Sequence, residues 1–294
     1  MFAQLSNSNF VVLQTLNSLA LGGLLFLLAA GFSLIFGLMR IANLTHGSLF
    51  MLGAYVGVWI IHSGVESLWL AAILSALLIA LLGAVFERFV LRALAGNGQG
   101  QVLVTLGVSF IVADLCLLIW GGDPIPVPTP ESLRVPLRVM GFVFPAYRIA
   151  IVVIAIAVAA GLHALIDRTR LGAMIRAGVD DAPMARAVGI PVSRLFTVVF
   201  CLGSALAGLG GALGGPILSA YPGLDADMLP LALIVVILGG VGSLLGAFVG
   251  SFLIGFIYSF GTALLPDLAY VILFLPMILV IAFRPTGLFG RMSA

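Results

Sequence analysis

The sequence predicts an all-α integral membrane protein, a polytopic bundle of about eight or nine transmembrane helices forming one domain over residues 1–294. Three observations carry that prediction. Of the 294 residues, 62% are hydrophobic and 8% are charged, against about a quarter charged in an ordinary soluble domain. A chain this apolar cannot cover a surface facing water, so the lipid bilayer must be its solvent. The apolar residues fall in runs close to the ~20 residues that cross a hydrocarbon core. Glycine is abundant, at 36 residues, and in a membrane bundle small residues let helix backbones approach closely.

The runs lie near 11–39, 44–62, 67–91, 101–120, 147–167, 195–219, 228–240, 244–260 and 268–283. The first has no basic start and no small-residue cleavage site, and reads as a membrane helix rather than a removable signal. The piece at 228–240 is short. Gly239-Gly240-Val241-Gly242-Ser243 separates it from the next run, either as a tight turn or as a break within one long element. Arginine placement orients the chain, because positive charge collects on the cytoplasmic side. The polar stretch 167–194 holds Arg168, Arg170, Arg176, Arg186 and Arg194. With that stretch in the cytoplasm, Arg40, Arg88, Arg92, Arg284 and Arg291 join it there. Arg134, Arg138 and Arg148 then fall outside, together with Glu66, Asp123, Glu131, Asp225, Asp227 and Asp267. The N-terminus is external and the C-terminus cytoplasmic. The outer loop 121–147 opens with repeated prolines, which remove hydrogen-bond donors and favour an extended path.

Composition excludes several functions. The basic residues are all arginines, the formal net charge is +2, and no basic patch suits nucleic acid. Cys116 and Cys201 lie inside apolar runs and read as small packing residues. With three histidines they supply neither a disulfide framework nor a metal cluster. The chain contains no lysine and no Gly-x-x-x-x-Gly-Lys-Ser/Thr. It is expected to hold no cofactor and to bind no ATP, so a partner or an ion gradient must supply energy. The glycine runs 208–215 and 239–250 do not sit between a strand and a helix, and so are not nucleotide fingerprints. Gly239, Gly240, Gly242 and Gly246 read as helix-packing positions, with a hinge as the alternative.

The segment 167–194 is too polar for lipid and too short to fold alone. Asp180 suits an N-cap, Asp181 follows at the positive helix end, and Pro183 fits a first turn. Arg186 lies toward the negative end and Gly189 supplies the stop. Ala182, Ala185 and Val188 recur at helical spacing as one small apolar face. A short helix of this kind suits a groove on another protein; a solvated connector is the bland alternative.

Three stretches carry a resemblance. Arg176-Ala-Gly-Val-Asp-Asp-Ala-Pro-Met-Ala-Arg-Ala-Val-Gly-Ile190 resembles the ATPase-coupling loop of the branched-chain amino acid ABC transporter permeases. Gly37-Leu-Met-Arg-Ile-Ala-Asn-Leu-Thr-His-Gly-Ser-Leu-Phe-Met-Leu-Gly-Ala-Tyr55 is similar to that family's early signature. Leu238-Gly-Gly-Val-Gly-Ser-Leu-Leu-Gly-Ala-Phe-Val-Gly250 is similar to its late glycine-rich one. Thr45, where the family often has Ala, and Pro183 inside the coupling helix depart from the pattern. The resemblance implies a type II-like ABC importer permease of a bacterial inner membrane, similar to the smaller of the two paired subunits. It implies a homologous second permease, two cytoplasmic ATP-binding subunits and a periplasmic substrate-binding protein as partners. Residues Asp180 to Gly189 would be the coupling helix, with Arg176 beside it. Branched-chain amino acids are the default substrate of the family.

Polar residues within the runs are the remaining candidates. Asn43, Thr45 and His46 follow the first span: either they line a pathway, or Asn43 caps the second span with His46 in its first turn. Asp114 lies inside the span 101–120, where a charge costs about 2.5–3.5 kcal/mol on insertion scales. It is expected to face the bundle interior, contacting substrate, bonding a helix N-terminus or staying protonated. Glu87 and Arg88 close the third span as a local pair. His163 reads as a packing or interface residue. Tyr221 to Asp227 reads as a short acidic outer loop which, with 121–147, would meet a binding protein. A secondary transporter would use membrane carboxylates for ion coupling, but Asp114 alone is thin support and 167–194 is left unexplained. A membrane enzyme would need clustered acid–base residues, which the sequence does not offer.

Overall fold

A computed structural model describes residues 8–39, 42–139 and 142–290; Arg40 and Arg291 lie outside them. The described residues form eleven α-helices: α1 Ser8–Met39, α2 Thr45–His62, α3 Leu68–Phe86, α4 Gly98–Trp120, α5 Ala146–Arg168, α6 Arg170–Asp180, α7 Ala182–Ala187, α8 Val192–Leu218, α9 Leu224–Gly239, α10 Leu244–Leu264 and α11 Ala269–Phe283. Between α4 and α5 a small antiparallel hairpin, β1 Leu137–Val139 and β2 Phe142–Phe144, sets Leu137 opposite Phe144. The hairpin was not expected from the sequence.

Seven segments are long and apolar enough to cross a membrane, built on α1, α3, α4, α5, α8, α10 and α11. The polytopic helical bundle is as predicted, and the runs match the helices to within a few residues. Two runs expected to be spans fall short. Helix α9 has 16 residues and rises only about 24 Å, less than the ~30 Å of hydrocarbon. Helix α2 has 18 residues but opens on Thr-His-Gly-Ser. Both are largely enclosed by the longer helices.

Helix α1 runs through the middle of the bundle, with Leu24 to Ala30 sealed from solvent. It packs against α8, α10, α5 and α9. Helix α8 touches α1, α2 and α3 at once, which its glycines permit. A β-carbon on Gly53 of α2 would stand 2.6 Å from the Gly208 backbone, and one on Gly203 would stand 2.8 Å from the Gly31 carbonyl oxygen. A side chain on Gly211 would collide with the carbonyl of Phe50, and one on Gly83 of α3 with the hydroxyl of Ser204.

The proline-rich start of the outer loop is not helical, as expected. Ile125 forms an antiparallel bridge with Ala220 after α8, and Val127 packs over Gly215. At the opposite, arginine-rich end, residues after α11 return to the end of α9. Leu288 N–H donates to the Leu238 carbonyl at 2.9 Å and Phe289 N–H to the Gly239 carbonyl at 3.0 Å. Carbonyls in a last helical turn lack intrahelical donors, and this tail supplies them. Helix α3 ends in a π-helical turn, Glu87–Leu91, and a 3-10 turn, Arg92–Leu94. The ion-pair partner of Glu87 is Arg92, at 3.1 Å, rather than the expected Arg88.

Gly211→Val is expected to cost about 1–3 kcal/mol or more through overpacking, read as a lower melting temperature in detergent. Gly161→Ala on α5, where a β-carbon meets nothing within 4 Å, is expected to leave melting unchanged or raise it slightly, since alanine favours helix over glycine by about 1 kcal/mol.

Candidate functional site

The connector between α5 and α8 folds as two helices rather than one. Thr169 caps α6 through its hydroxyl, which accepts from Gly172 N–H at 3.1 Å. The N-cap of α7 is Asp181 and not Asp180. Asp181 has extended backbone angles, φ −150° and ψ 94°, and its Oδ1 accepts from Met184 N–H at 2.9 Å. Asp180 is the last residue of α6, because the Asp181 N–H still bonds the Ala177 carbonyl at 3.1 Å. The helix between the acidic pair and Gly189 therefore has six residues, with Pro183 in its first turn. Gly189 stops it at φ +87°, a left-handed conformation that glycine adopts without a steric penalty.

The expected apolar face is divided. Ala185 is buried against its own chain and Ala182 half-buried, while Met184 and Val188 are 60% and 65% exposed. Arg186 is also exposed, in the last turn. Arg176 turns back on the chain: its Nη1 donates to the Ile166 carbonyl and, at 3.3 Å, to Asp167 Oδ1. Asp167 also meets His163 Nδ1 at 2.7 Å. Arg176 thus braces the corner between α5 and α6, while α7 presents Met184, Arg186 and Val188 outward.

A second polar group lies inside the bundle, at the start of α2. Asn43, Thr45, His46 and Ser48 are all buried. Asn43 Oδ1 accepts from Thr45 N–H at 3.2 Å, but the N-cap position is held by Leu44, without a side-chain cap bond, so Asn43 is not the cap; His46 does occupy the first turn. His46 Nε2 meets the Leu28 carbonyl at 3.0 Å, and its ring stands edge-on to Phe32 at 5.7 Å. Leu28 lies about 16 Å along α1 from Met39, so α2 begins well inside the bundle. Thr45 Oγ1 donates to the Thr105 carbonyl at 3.0 Å, and Ser48 Oγ to Asp225 Oδ2 at 3.0 Å.

Asp225 was expected in an outer loop. It stands instead in the first turn of α9, where its carboxylate reaches the α2 serine. Asp227, which accepts from the Tyr221 hydroxyl at 2.6 Å, remains exposed. Ser48, Thr105 and Ser109 were not singled out from the sequence. The signal was available: Gln101, Thr105 and Ser109 recur at four-residue spacing on an otherwise apolar helix and form its buried stripe, continued by Cys116. That stripe fixes the rotation of α4. Asp114 consequently lies on the opposite, exposed face, not in the interior of this chain, and makes no ion pair with any described residue.

The glycines between α9 and α10 form a tight turn rather than a break in one element. Gly239 and Gly246 face one another so closely that a side chain on either would strike the other's backbone. Gly240 and Gly242 take φ of +101° and +75°, and Gly242 packs on Gly37 of α1.

These features define a multi-pass membrane protein with a polar seam among its helices and a short capped helix at the arginine-rich end. The chain belongs to the family of branched-chain amino acid transport system permease components, whose family model matches residues 14–281. It is 30% identical over 292 residues to the high-affinity branched-chain amino acid transport system permease protein BraD of Pseudomonas aeruginosa, covering 95% of each chain. It is 28% identical over 301 residues to the corresponding LivH of Escherichia coli K12, again with 95% of each covered. It is also 31% identical over 175 residues to the autoinducer 2 import system permease protein LsrC of Klebsiella pneumoniae, covering 54% of this chain and 50% of that one. No solved structure matches the chain.

Asp181→Ala is expected to destabilise α7 by about 0.5–2 kcal/mol, seen as faster amide exchange over 182–188. Asp180→Ala should leave exchange there unchanged, because Asp180 caps nothing.

Proposed function

We propose that this chain is the permease subunit of an ATP-driven importer, carrying branched-chain or related amino acids across the inner (plasma) membrane of a bacterium. The observation that carries the reading is the match to this permease family over nearly the whole chain. The chain pairs with a homologous permease and docks two cytoplasmic ATP-binding subunits, which hold the ATP. A periplasmic binding protein delivers substrate. This subunit has no catalytic site of its own. The relative named for autoinducer 2 import makes substrate choice the least constrained part of the proposal.

Helix α7 is the coupling helix. Asp181 and Gly189 fix its two ends, and Met184, Arg186 and Val188 offer an apolar pair flanking a positive charge. Asn43 and His46 belong to the translocation region: the Asn43 amide nitrogen and His46 Nδ1 are buried without a hydrogen-bond partner among the described residues, and buried polar groups are ordinarily satisfied. Asp114 faces away from its own chain within a span-length helix. In lipid that carboxylate would be costly, so its face turns toward the second permease and the aqueous path between the two.

Purification in mild detergent from native membranes tests the reading. Recovery of a second permease with ATP-binding subunits in comparable amount is the expected result; a stable chain recovered alone would overturn it. In the reconstituted complex, Asp181→Arg, or a Gly-Ser linker in place of residues 180–189, should abolish uptake without loss of membrane insertion. Asp114→Asn should lower uptake about tenfold while ATPase docking is kept; unchanged uptake would remove Asp114 from the pathway.

A further inference from the structure

The inner end of α3 carries a polar arrangement that neither the coupling helix nor the seam at α2 uses. Glu87 is 1% exposed and begins the π-helical turn. Arg92 closes on it from the same segment, with Nη2 at 3.1 Å from Oε2 and Nε at 3.4 Å from Oε1. Helix α8 completes the group: Thr197 Oγ1 donates to Glu87 Oε2 at 2.7 Å and accepts from Arg92 Nη2 at 2.6 Å. The same nitrogen donates to the Ser193 carbonyl at 3.0 Å. Gln101 of α4 donates to the Leu91 carbonyl inside the π turn at 3.0 Å. One buried carboxylate thus fastens α3 to the first turns of α8, with α4 attached behind.

Those first turns are the ones that leave the coupling segment. Only residues 188–191 separate α7 from α8, and Ile190 N–H bonds the Ala185 carbonyl at 2.9 Å across that corner. Leu195 and Val199 of α8 share a small core with Ile175 of α6 and Leu38 of α1. A displacement of α6–α7 therefore moves the start of α8, and the start of α8 is where Thr197 and Ser193 grip Arg92 and Glu87. A π turn is a common mark of functional positions within helices. Here its extra residue sets Glu87 and Arg92 five apart on one side.

We infer that Glu87, Arg92 and Thr197 are positioning residues that pass the movement of the coupling helix from α8 to α3, and so into the membrane. The inference rests on the importer reading above. It assigns these residues no contact with substrate or ATP.

The test uses the assembled transporter reconstituted in liposomes, with uptake and ATP hydrolysis measured on the same sample. For Thr197→Val and Glu87→Gln we expect assembly in normal amount and ATP hydrolysis within about twofold of wild type. Substrate moved per ATP hydrolysed should fall at least fivefold. Thr197→Ser keeps the hydroxyl and should retain the wild-type ratio. A wild-type ratio in both Thr197→Val and Glu87→Gln overturns the inference and leaves the importer reading standing. Hydrolysis and uptake falling together with loss of assembled complex also overturn it, since the clasp would then only hold the fold. Absence of ATP-driven uptake by the wild-type complex would sink the importer reading, and this inference with it.

Discussion

Close backbone contact along α8 is the constraint on which the other packing depends. In lipid there is little hydrophobic force between helices, and association rests on van der Waals contact, interhelical hydrogen bonds and small residues. Gly203, Gly208 and Gly211 bring α8 against α1, α2 and α3 with no room for a side chain. Because three helices share one edge, none can shift without disturbing the others. That edge also fixes where α2 begins, through Gly53 against Gly208 and Phe50 against Gly211.

The short helices follow from the same enclosure. A helix that starts inside a bundle exposes N–H groups and polar side chains that lipid cannot satisfy. Helix α2 starts inside, where α1 and α4 supply carbonyls and α9 a carboxylate. Thr45 bonds the Thr105 carbonyl, His46 the Leu28 carbonyl, and Ser48 reaches Asp225. Irregular backbone at membrane depth is tolerated where it is buried in protein or lines a water-filled cavity.

The arginine-rich end is organised by two local braces of different character. Arg176 and Asp167 fix the corner between α5 and α6 near the surface, where such a pair contributes little beyond geometry. Glu87 and Arg92 fix α3 to α8 with the carboxylate buried and the guanidinium partly exposed, so that removing Arg92 would leave a buried, uncompensated charge. Helix α7 lies between these fixed points. It is capped at Asp181 and closed at Gly189, and is free to present Met184 and Val188 to another surface.

The sequence by itself determined the class, the helical spans to within a few residues, the short length of the piece before Gly239, and the stop at Gly189. These depend on hydropathy over windows of about 20 residues and on local backbone chemistry, both of which a single chain displays directly. The polar stripe of Gln101, Thr105 and Ser109 was legible but unread, since its spacing has meaning only once a neighbour is known. What the tertiary structure alone decided was rotation and partnership. Asp114 turned outward because the stripe on the other side of α4 packs on α2. Asp225 left its expected loop because α9 begins one turn earlier and meets Ser48. Glu87 chose Arg92 over Arg88 because a π turn, not an α turn, ends α3. Each of these is set by contacts between residues far apart in the chain or by a change in helical pitch, and neither leaves a trace in local composition.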